Sequence, residues 1–282
     1  MKPYEAARVL YQNGAASDAR AILERLWDSP ELRGSDEFRI FCALVETWAE
    51  QSTTSVMGFL DSVIAGEGDL HGFWERRNMA EQATLLEWHG QFAYVSGDRG
   101  TAFSSLTRAA SLGRDTSIVW RLIGAIHIEN EELELGMRYL RRSLQLYRQL
   151  ELDLLSGRDY PLGFFTGKNP LNLSHGPADF LNILLDVTRL AKGQRNLKSV
   201  RELVVELIHH NPSDERLLKI RVLLERAIVQ ASLVPGNRPQ VSQQSLNAVA
   251  AQAPISAAAP MPLSRTPAPL VNPRGYAALF RG

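Results

Sequence analysis

The sequence predicts an all-α chain of stacked helical hairpins, and three observations predict it. The stretch Leu86 to Ser143 reads as one helix-turn-helix unit written twice, displaced by 34 residues, with Leu86 matching Trp120, Gly90 matching Gly124, Ala102 matching Gly136 and Leu106 matching Leu140. On either side of that stretch, apolar residues recur at helical spacing between polar or glycine-containing turns. At Val234 the composition breaks: eight of the 14 prolines fall in the last 49 residues, among many Ala, Ser and Gln. Such a segment buries too little apolar surface to offset its ordering entropy, so the array is predicted to end there.

Residues 4 to 28 form the first predicted hairpin, with Tyr4, Ala7, Leu10 and Tyr11 on one helix face, Ala19, Ile22, Leu23 and Leu26 on the next, and Asn13-Gly14 as the turn. Pro30 follows the second helix, where it ends a helix without breaking one. A second, degenerate hairpin spans 36 to 64, with Phe38, Phe41, Ala43, Leu44 and Trp48 before a turn near Gln51-Ser52, and Val56, Phe59, Leu60 and Val63 after it. A loop from Gly66 to Gly72 leads into an extra helical turn over Phe73 to Ala80, then into the two clearest units, 83 to 112 and 117 to 150. In each, a bulky and a small residue face the next helix. Gly136 in place of Ala102 permits closer packing at some cost in helix propensity.

The pattern stops for an insertion at 152–178, where four glycines and three prolines accompany Leu162, Phe164, Phe165, Leu171 and Leu173. A loop this long is functional or disordered, and its apolar content predicts that it folds back onto the helices. Two roles stay open: a plug over the junction between the fourth and fifth repeats, or a lid that offers a second contact surface. Helical spacing resumes at Phe180, turns at Gly193-Gln194-Arg195-Asn196 and runs to Asn211-Pro212. Residues 213–233 then make a capping helix with Ser213 as N-cap and an acidic first turn. The predicted organisation is a repeat domain at 1–233 and a disordered tail at 234–282. At 273–281 the tail places Tyr276, Leu279 and Phe280 on one face of a short helix able to enter a groove on a second protein or a neighbouring copy.

Charge and cysteine content exclude several classes. Lys plus Arg equals Asp plus Glu at 31 each, so no net field draws the chain toward nucleic acid or an anionic membrane. Within that balance, residues 1 to 233 carry 27 basic against 31 acidic side chains, because the tail has only Arg238, Arg265, Arg274 and Arg281. A single cysteine, Cys42, forms no intramolecular disulfide or multi-cysteine zinc site and fits a reducing compartment. The N-terminal residues move directly into a charged amphipathic pattern, and no stretch reaches the roughly 20 apolar residues of a spanning helix. The expectation is a soluble cytoplasmic protein without a membrane span.

Leu86-x2-His89-Gly90-x2-Ala93 with Ala102-x3-Leu106, followed by Trp120-x2-Ile123-Gly124-x2-His127 with Gly136-x3-Leu140, resembles the tetratricopeptide repeat. Ala7, Gly14, Ala19, Leu23 and Pro30 fit the same template, and Leu184, Val204, Leu207 and Pro212 fit it loosely, so the likeness covers about residues 3 to 212. It implies a right-handed superhelical solenoid of antiparallel helix hairpins whose concave face, lined by the first helix of each pair, binds a peptide or helix of a protein partner. By position, the groove residues it implies are Arg8, Tyr11, Glu87, Gln91, Tyr94, Arg121, Ile128, Arg189 and Lys192. The lysine and asparagine array with which some members grip a C-terminal carboxylate is missing from these positions.

No catalytic residue, metal site or cofactor is predicted. His89 and His127 lie beside small packing residues and read as core or groove lining, and Trp120 reads as core. His209-His210 ends a helix, where the dipole favours an imidazolium. Glu67, Asp69 and His71 lack the second cluster of a metal loop. Cys42 sits among apolar neighbours with no base beside it. Gly167-Lys168 lacks the glycine spacing and the following Ser or Thr of a phosphate loop. Arg138, Arg141, Arg142 and Arg148 form the most basic patch, flanked by Glu131, Glu132, Glu134 and Glu151, and read as a solvated face with intrahelical ion pairs. The function this supports is a non-enzymatic adaptor, scaffold or assembly chaperone in the building of a multi-protein machine, capable of self-association. The alternative is a regulatory or sensor protein whose groove holds a peptide or nucleic acid.

Overall fold

The computed structural model describes residues 2–29, 36–67, 72–156, 162–167, 171, 184, 187–188, 191, 194–210, 212–233 and 243–250. Among these there are eleven helices and no strand. No helix among them is long and apolar enough to cross a membrane.

Each helix begins and ends where local chemistry dictates. Helix α1 (Pro3–Gln12) opens on a proline, whose missing N–H would be unpaired in a first turn anyway. Gly14, with a φ of 87°, turns the chain into α2 (Ala16–Asp28) in a conformation that a side chain would oppose. Helix α3 (Glu37–Ala49) leads to α4 (Thr53–Ala65), whose N-cap Ser52 hydroxyl accepts from the Ser55 amide at 3.2 Å. Asn78 and Glu81 exchange bonds as a capping box at the start of α5 (Met79–Ser96). The helical turn expected over Phe73 to Ala80 is therefore an isolated turn at 72–76, cut off from α5 by that cap. Asp98 caps α6 (Arg99–Ser111) and Thr116 caps α7 (Ser117–Glu129). Helix α8 (Leu133–Ser156) runs into the predicted insertion before it ends.

Three further boundaries correct the sequence reading. Gln194, Arg195 and Asn196, predicted as a turn, already belong to α9 (Gln194–His210). Asp214, not Ser213, caps α10 (Glu215–Leu233), its carboxylate accepting from the Arg216 amide at 2.9 Å while it pairs with the Arg216 guanidinium. Helix α11 (Gln243–Ala250) stands in the stretch expected to be disordered. It packs on α10 with Leu246 fully buried, so one well-placed leucine orders a segment whose overall composition argues against order.

Helices adjacent in sequence pack on one another, as in a helical repeat: α1 on α2, α2 on α3, α3 on α4, α4 on α5, α5 on α6, α9 on α10 and α10 on α11. The residues form two compact units, one drawn from Met1–Asp115 and Glu151–Leu173, the other from Thr116–Leu150 and Ser174–Arg265. The core of the first is rich in aromatic rings, with Phe41 against Phe73 at 4.7 Å, Phe59 at 5.6 Å and Trp27 at 5.8 Å between centroids. The core of the second is aliphatic, built on Leu140, Leu184, Val187, Leu203, Leu207, Leu217 and Ile220.

The paired small and bulky residues explain the duplicated motif. A Cβ on Gly90 would lie 2.6 Å from Leu106 Cγ and 3.3 Å from the Ala102 carbonyl oxygen, and one on Gly124 would lie 3.0 Å from the Gly136 carbonyl oxygen. One on Gly136 would press on Ile128 and stand 3.0 Å from the Gly124 carbonyl oxygen. Each glycine thus lets two helices approach until backbone meets side chain. Gly90→Val is expected to lower stability by about 3 kcal/mol through overpacking. In urea unfolding, Leu106→Ala added to Gly90→Val should recover part of that loss, because it removes the atoms the new side chain strikes.

Candidate functional site

The first unit holds the most developed site, and it is built by α1, α3 and the turn Leu162–Gly167. Helical spacing puts Tyr4, Arg8 and Tyr11 on one side of α1, and Glu46 lies within the apolar run Ala43-Leu44-Val45-Glu46-Thr47 of α3. The turn is closed by the Gly167 amide donating to the Gly163 carbonyl at 2.9 Å, with φ values of 92° at Gly163 and 72° at Gly167. Both are left-handed conformations that glycine adopts without steric cost.

Phe165 enters between the two tyrosines. Its ring is 5.5 Å from Tyr4 in an edge-on arrangement and 5.8 Å from Tyr11. Phe164 lies under the Arg8 guanidinium at 4.8 Å, in cation–π geometry. Glu46, only 1% exposed, receives the turn: one of its oxygens accepts from the Phe165 amide at 2.9 Å, the Thr166 amide at 3.0 Å and the Thr166 hydroxyl at 3.3 Å. Two successive amides converging on one oxygen form a small anion-binding nest. Burial pushes the Glu46 carboxyl up to about 7, although the bonds from Thr166 and Phe165 pull the other way.

The rim of this seat is also polar. Tyr11 donates to Glu50, Arg20 donates to the Thr47 carbonyl at 3.2 Å, and Arg39 stacks 4.4 Å over Tyr4 while pairing with Glu5 at 3.2 Å. The Arg8 Nε is buried and has no hydrogen-bond acceptor among the described residues. Burial raises the Tyr4 phenol, so it stays neutral. Within the predicted insertion, residues 162–167 fold back onto α1 and α3; most of the rest of it lies outside the described residues. The contacts are chemical: buried Tyr4, half-buried Tyr11 and the buried Glu46 carboxyl meet the Phe165 ring and the turn's amides.

Of the groove residues implied by the repeat likeness, Arg8 and Tyr11 therefore meet in one site. Glu87 and Gln91 do not line an open face; they are 4% and 2% exposed. Glu87 pairs with buried Arg114 and accepts from Gln91 at 3.1 Å. Tyr94 is half-buried beneath Arg99, 3.9 Å from ring to guanidinium. In the second unit Arg121 is 4% exposed, and Ile128 is buried against Gly136, the close approach having turned its side chain into core. Arg189, Lys192 and the tail residues Tyr276, Leu279 and Phe280 lie outside the described residues, as do Asp69 and His71. Glu46 was missed in the sequence, and its signal was a lone carboxylate in an apolar run.

Two histidines have definite partners. His89 Nδ1 is 2.7 Å from the Ser105 hydroxyl and Nε2 is 2.7 Å from Asp61, a chain that ties α4, α5 and α6 together. Ser105 is 7% exposed in mid-helix, which denies a substrate access to its oxygen. His127 stacks on Tyr139 at 5.2 Å and pairs with Glu132, while Trp120, half-buried rather than core, stacks on the same ring at 5.5 Å. Cys42 is buried, and burial holds its thiol well above the ordinary value. No group of three metal-ligating side chains occurs among the described residues.

The arginine patch borders a cleft of about 470 Å³ in the second unit, lined on α8 by Glu134, Arg138, Arg141, Arg142 and Gln145 and on α9 by Asn196 and Ser199. Arg141 is tied to α9 by the Ser199 carbonyl at 3.2 Å and Glu202 at 3.1 Å, so its ion pair joins two helices and is not intrahelical. No protein family, curated protein or solved structure matches the chain.

Proposed function

We propose that the chain is a non-enzymatic adaptor or scaffold that holds a segment of another protein on the α1–α3 face of its first unit. Its helix hairpins would be antiparallel and stacked as a right-handed, tetratricopeptide-like superhelix. The observation that carries this reading is the seat itself, where Tyr4, Tyr11 and Glu46 grip a turn that lies 119 residues beyond Glu46 in the chain, through ring packing and backbone amides. A surface that recognises backbone donors and one aromatic ring has the grammar of peptide recognition. A photo-crosslinking residue placed at Val9, exposed on α1 beside the seat, is the test. In the native cell it should capture one protein in high yield, and Tyr11→Ala should reduce that yield at least five-fold; no captured protein sensitive to Tyr11→Ala overturns the reading.

A second reading, a sensor for an anionic ligand, is favoured by the arginine cleft. Arg138 and Arg142, with Arg141 already paired to Glu202, outnumber the Glu134 carboxylate in that cleft and suit a phosphate- or carboxylate-bearing group. If it binds such a group, pyrophosphate should raise the melting temperature by a few degrees in low salt, and Arg138→Ala with Arg142→Ala should remove the shift.

A further inference from the structure

We infer that the turn Leu162–Gly167 is an internal occupant of the seat on α1 and α3, and that the partner it excludes presents an aromatic residue followed directly by serine or threonine. This rests on the adaptor reading and names both the ligand class of that site and its regulation.

The turn behaves as a ligand in form. Two left-handed glycines close it on itself, so it presents a compact tip rather than a continuation of a helix. It meets the seat with one ring between Tyr4 and Tyr11, one ring under Arg8 and donors on Glu46, while Leu162 and Phe165 join the core of the first unit. The side chains of the seat, Tyr4, Arg8, Tyr11 and Glu46, all come from α1 and α3, which are joined through α2.

The fit is also imperfect, which leaves room for a better ligand. The buried Arg8 Nε finds no acceptor among the described residues, although an arginine donor normally has one. A partner segment with the same aromatic and hydroxyl pair, and a carbonyl or carboxylate placed over Arg8, would satisfy Glu46 equally and Arg8 in addition. The specificity follows: the ring fills the space between the tyrosines, the hydroxyl and two amides meet Glu46, and an acceptor meets Arg8. The internal turn then holds the seat shut until such a segment competes, with its effective concentration set by its own tether.

A fluorescent peptide with the sequence of residues 160–169 serves as the probe, with anisotropy measured on the full chain. Wild type should bind it weakly. Phe165→Ala with Thr166→Ala, which weakens the internal turn and leaves the seat whole, should bind it at least ten-fold more tightly. Adding Tyr11→Ala should abolish that gain, and a probe with alanine at both positions should not bind. Equal affinity of the turn variant and wild type overturns the inference. Should the turn variant fail to fold by circular dichroism, hydrogen exchange on wild type decides: the Phe165 and Thr166 amides should exchange at least ten-fold faster than core amides such as that of Leu60. Exchange only together with the core overturns it. A wild-type dimer in light scattering that Phe165→Ala dissociates also overturns it, because the occupant would then be the turn of a second copy. Failure here with Tyr11-sensitive crosslinks from Val9 removes the internal occupant and leaves the adaptor reading standing; loss of those crosslinks removes the adaptor reading itself.

Discussion

Glu46→Ala is expected to destabilise the first unit by about 4 kcal/mol at pH 5 and to release the turn Leu162–Gly167. The variant leaves the Phe165 and Thr166 amides and the Thr166 hydroxyl without their acceptor, at about 1–3 kcal/mol for each buried donor. Undocking the turn limits that cost, since the donors then reach water while the burial of Phe165 is lost. Urea unfolding gives the magnitude, and protease cleavage near residue 165 reports the release; an unchanged cleavage rate would show that Glu46 does not hold the turn.

The same carboxyl gives a pH dependence of definite sign. Its value is 4.5 when solvated and about 7 in the fold, where burial is the main cause. Between those values the unfolded chain has ionised Glu46 while the folded chain keeps the proton, so stability is fully present below 4.5 and declines as pH rises through 7, by roughly 3 kcal/mol in all. The groups facing this carboxyl are Tyr4 and Tyr11 on α1, Cys42 on its own helix, and the uncharged donors of the turn, with Arg8 and Arg39 further out beside Tyr4. The phenols and the thiol are all raised and do not ionise in that window. Glu46→Gln keeps an acceptor and removes the titration, so the difference between wild type and this variant, measured at pH 5 and pH 8, isolates the effect. The loss from Glu46→Ala should accordingly be smaller at pH 8.

The second large effect concerns Glu87. Glu87→Ala should cost about 3–5 kcal/mol, because it strips a carboxylate from buried Arg114 and an acceptor from Gln91. Replacing the pair together, Glu87→Leu with Arg114→Met, should bring stability back to within about 1 kcal/mol of wild type, since apolar side chains of similar volume carry no desolvation cost. A double variant as unstable as the single one would mean that the pair is held by more than mutual charge. The outcome separates a structural ion pair from a groove contact: on an open face, Glu87→Ala would change stability little.

How the chain divides what can be read locally from what cannot is clearest in particular residues. The duplicated motif was legible because Gly90 and Leu106 recur as Gly124 and Leu140 at one spacing, and the contacts they make are between neighbours in sequence. Turn positions at Gly14 and Ser52 were legible for the same reason, as φ and capping are local properties. The start of α9 was misplaced because Gln194, Arg195 and Asn196 are compatible with either a turn or a first helical turn. Helix α11 was missed because its order comes from α10, against which Leu246 is buried.

The candidate site divides in the same way. Its aromatic rings, Phe164 and Phe165, stood out in an insertion too apolar for a linker, and Arg8 and Tyr11 followed from the repeat register. Their meeting did not, because segments so remote in the chain leave no periodic trace. Burial of Glu87, Arg121 and Ile128 was equally invisible, since helical register gives a direction and not what stands in that direction. By itself the sequence determined the helices, their turns and the small residues that let them pack, all set by interactions within about one hairpin. Only the tertiary structure decided which polar groups were buried, where the insertion docked and how far Glu46 was moved from its ordinary acidity, because each depends on removal of water by segments remote in the chain.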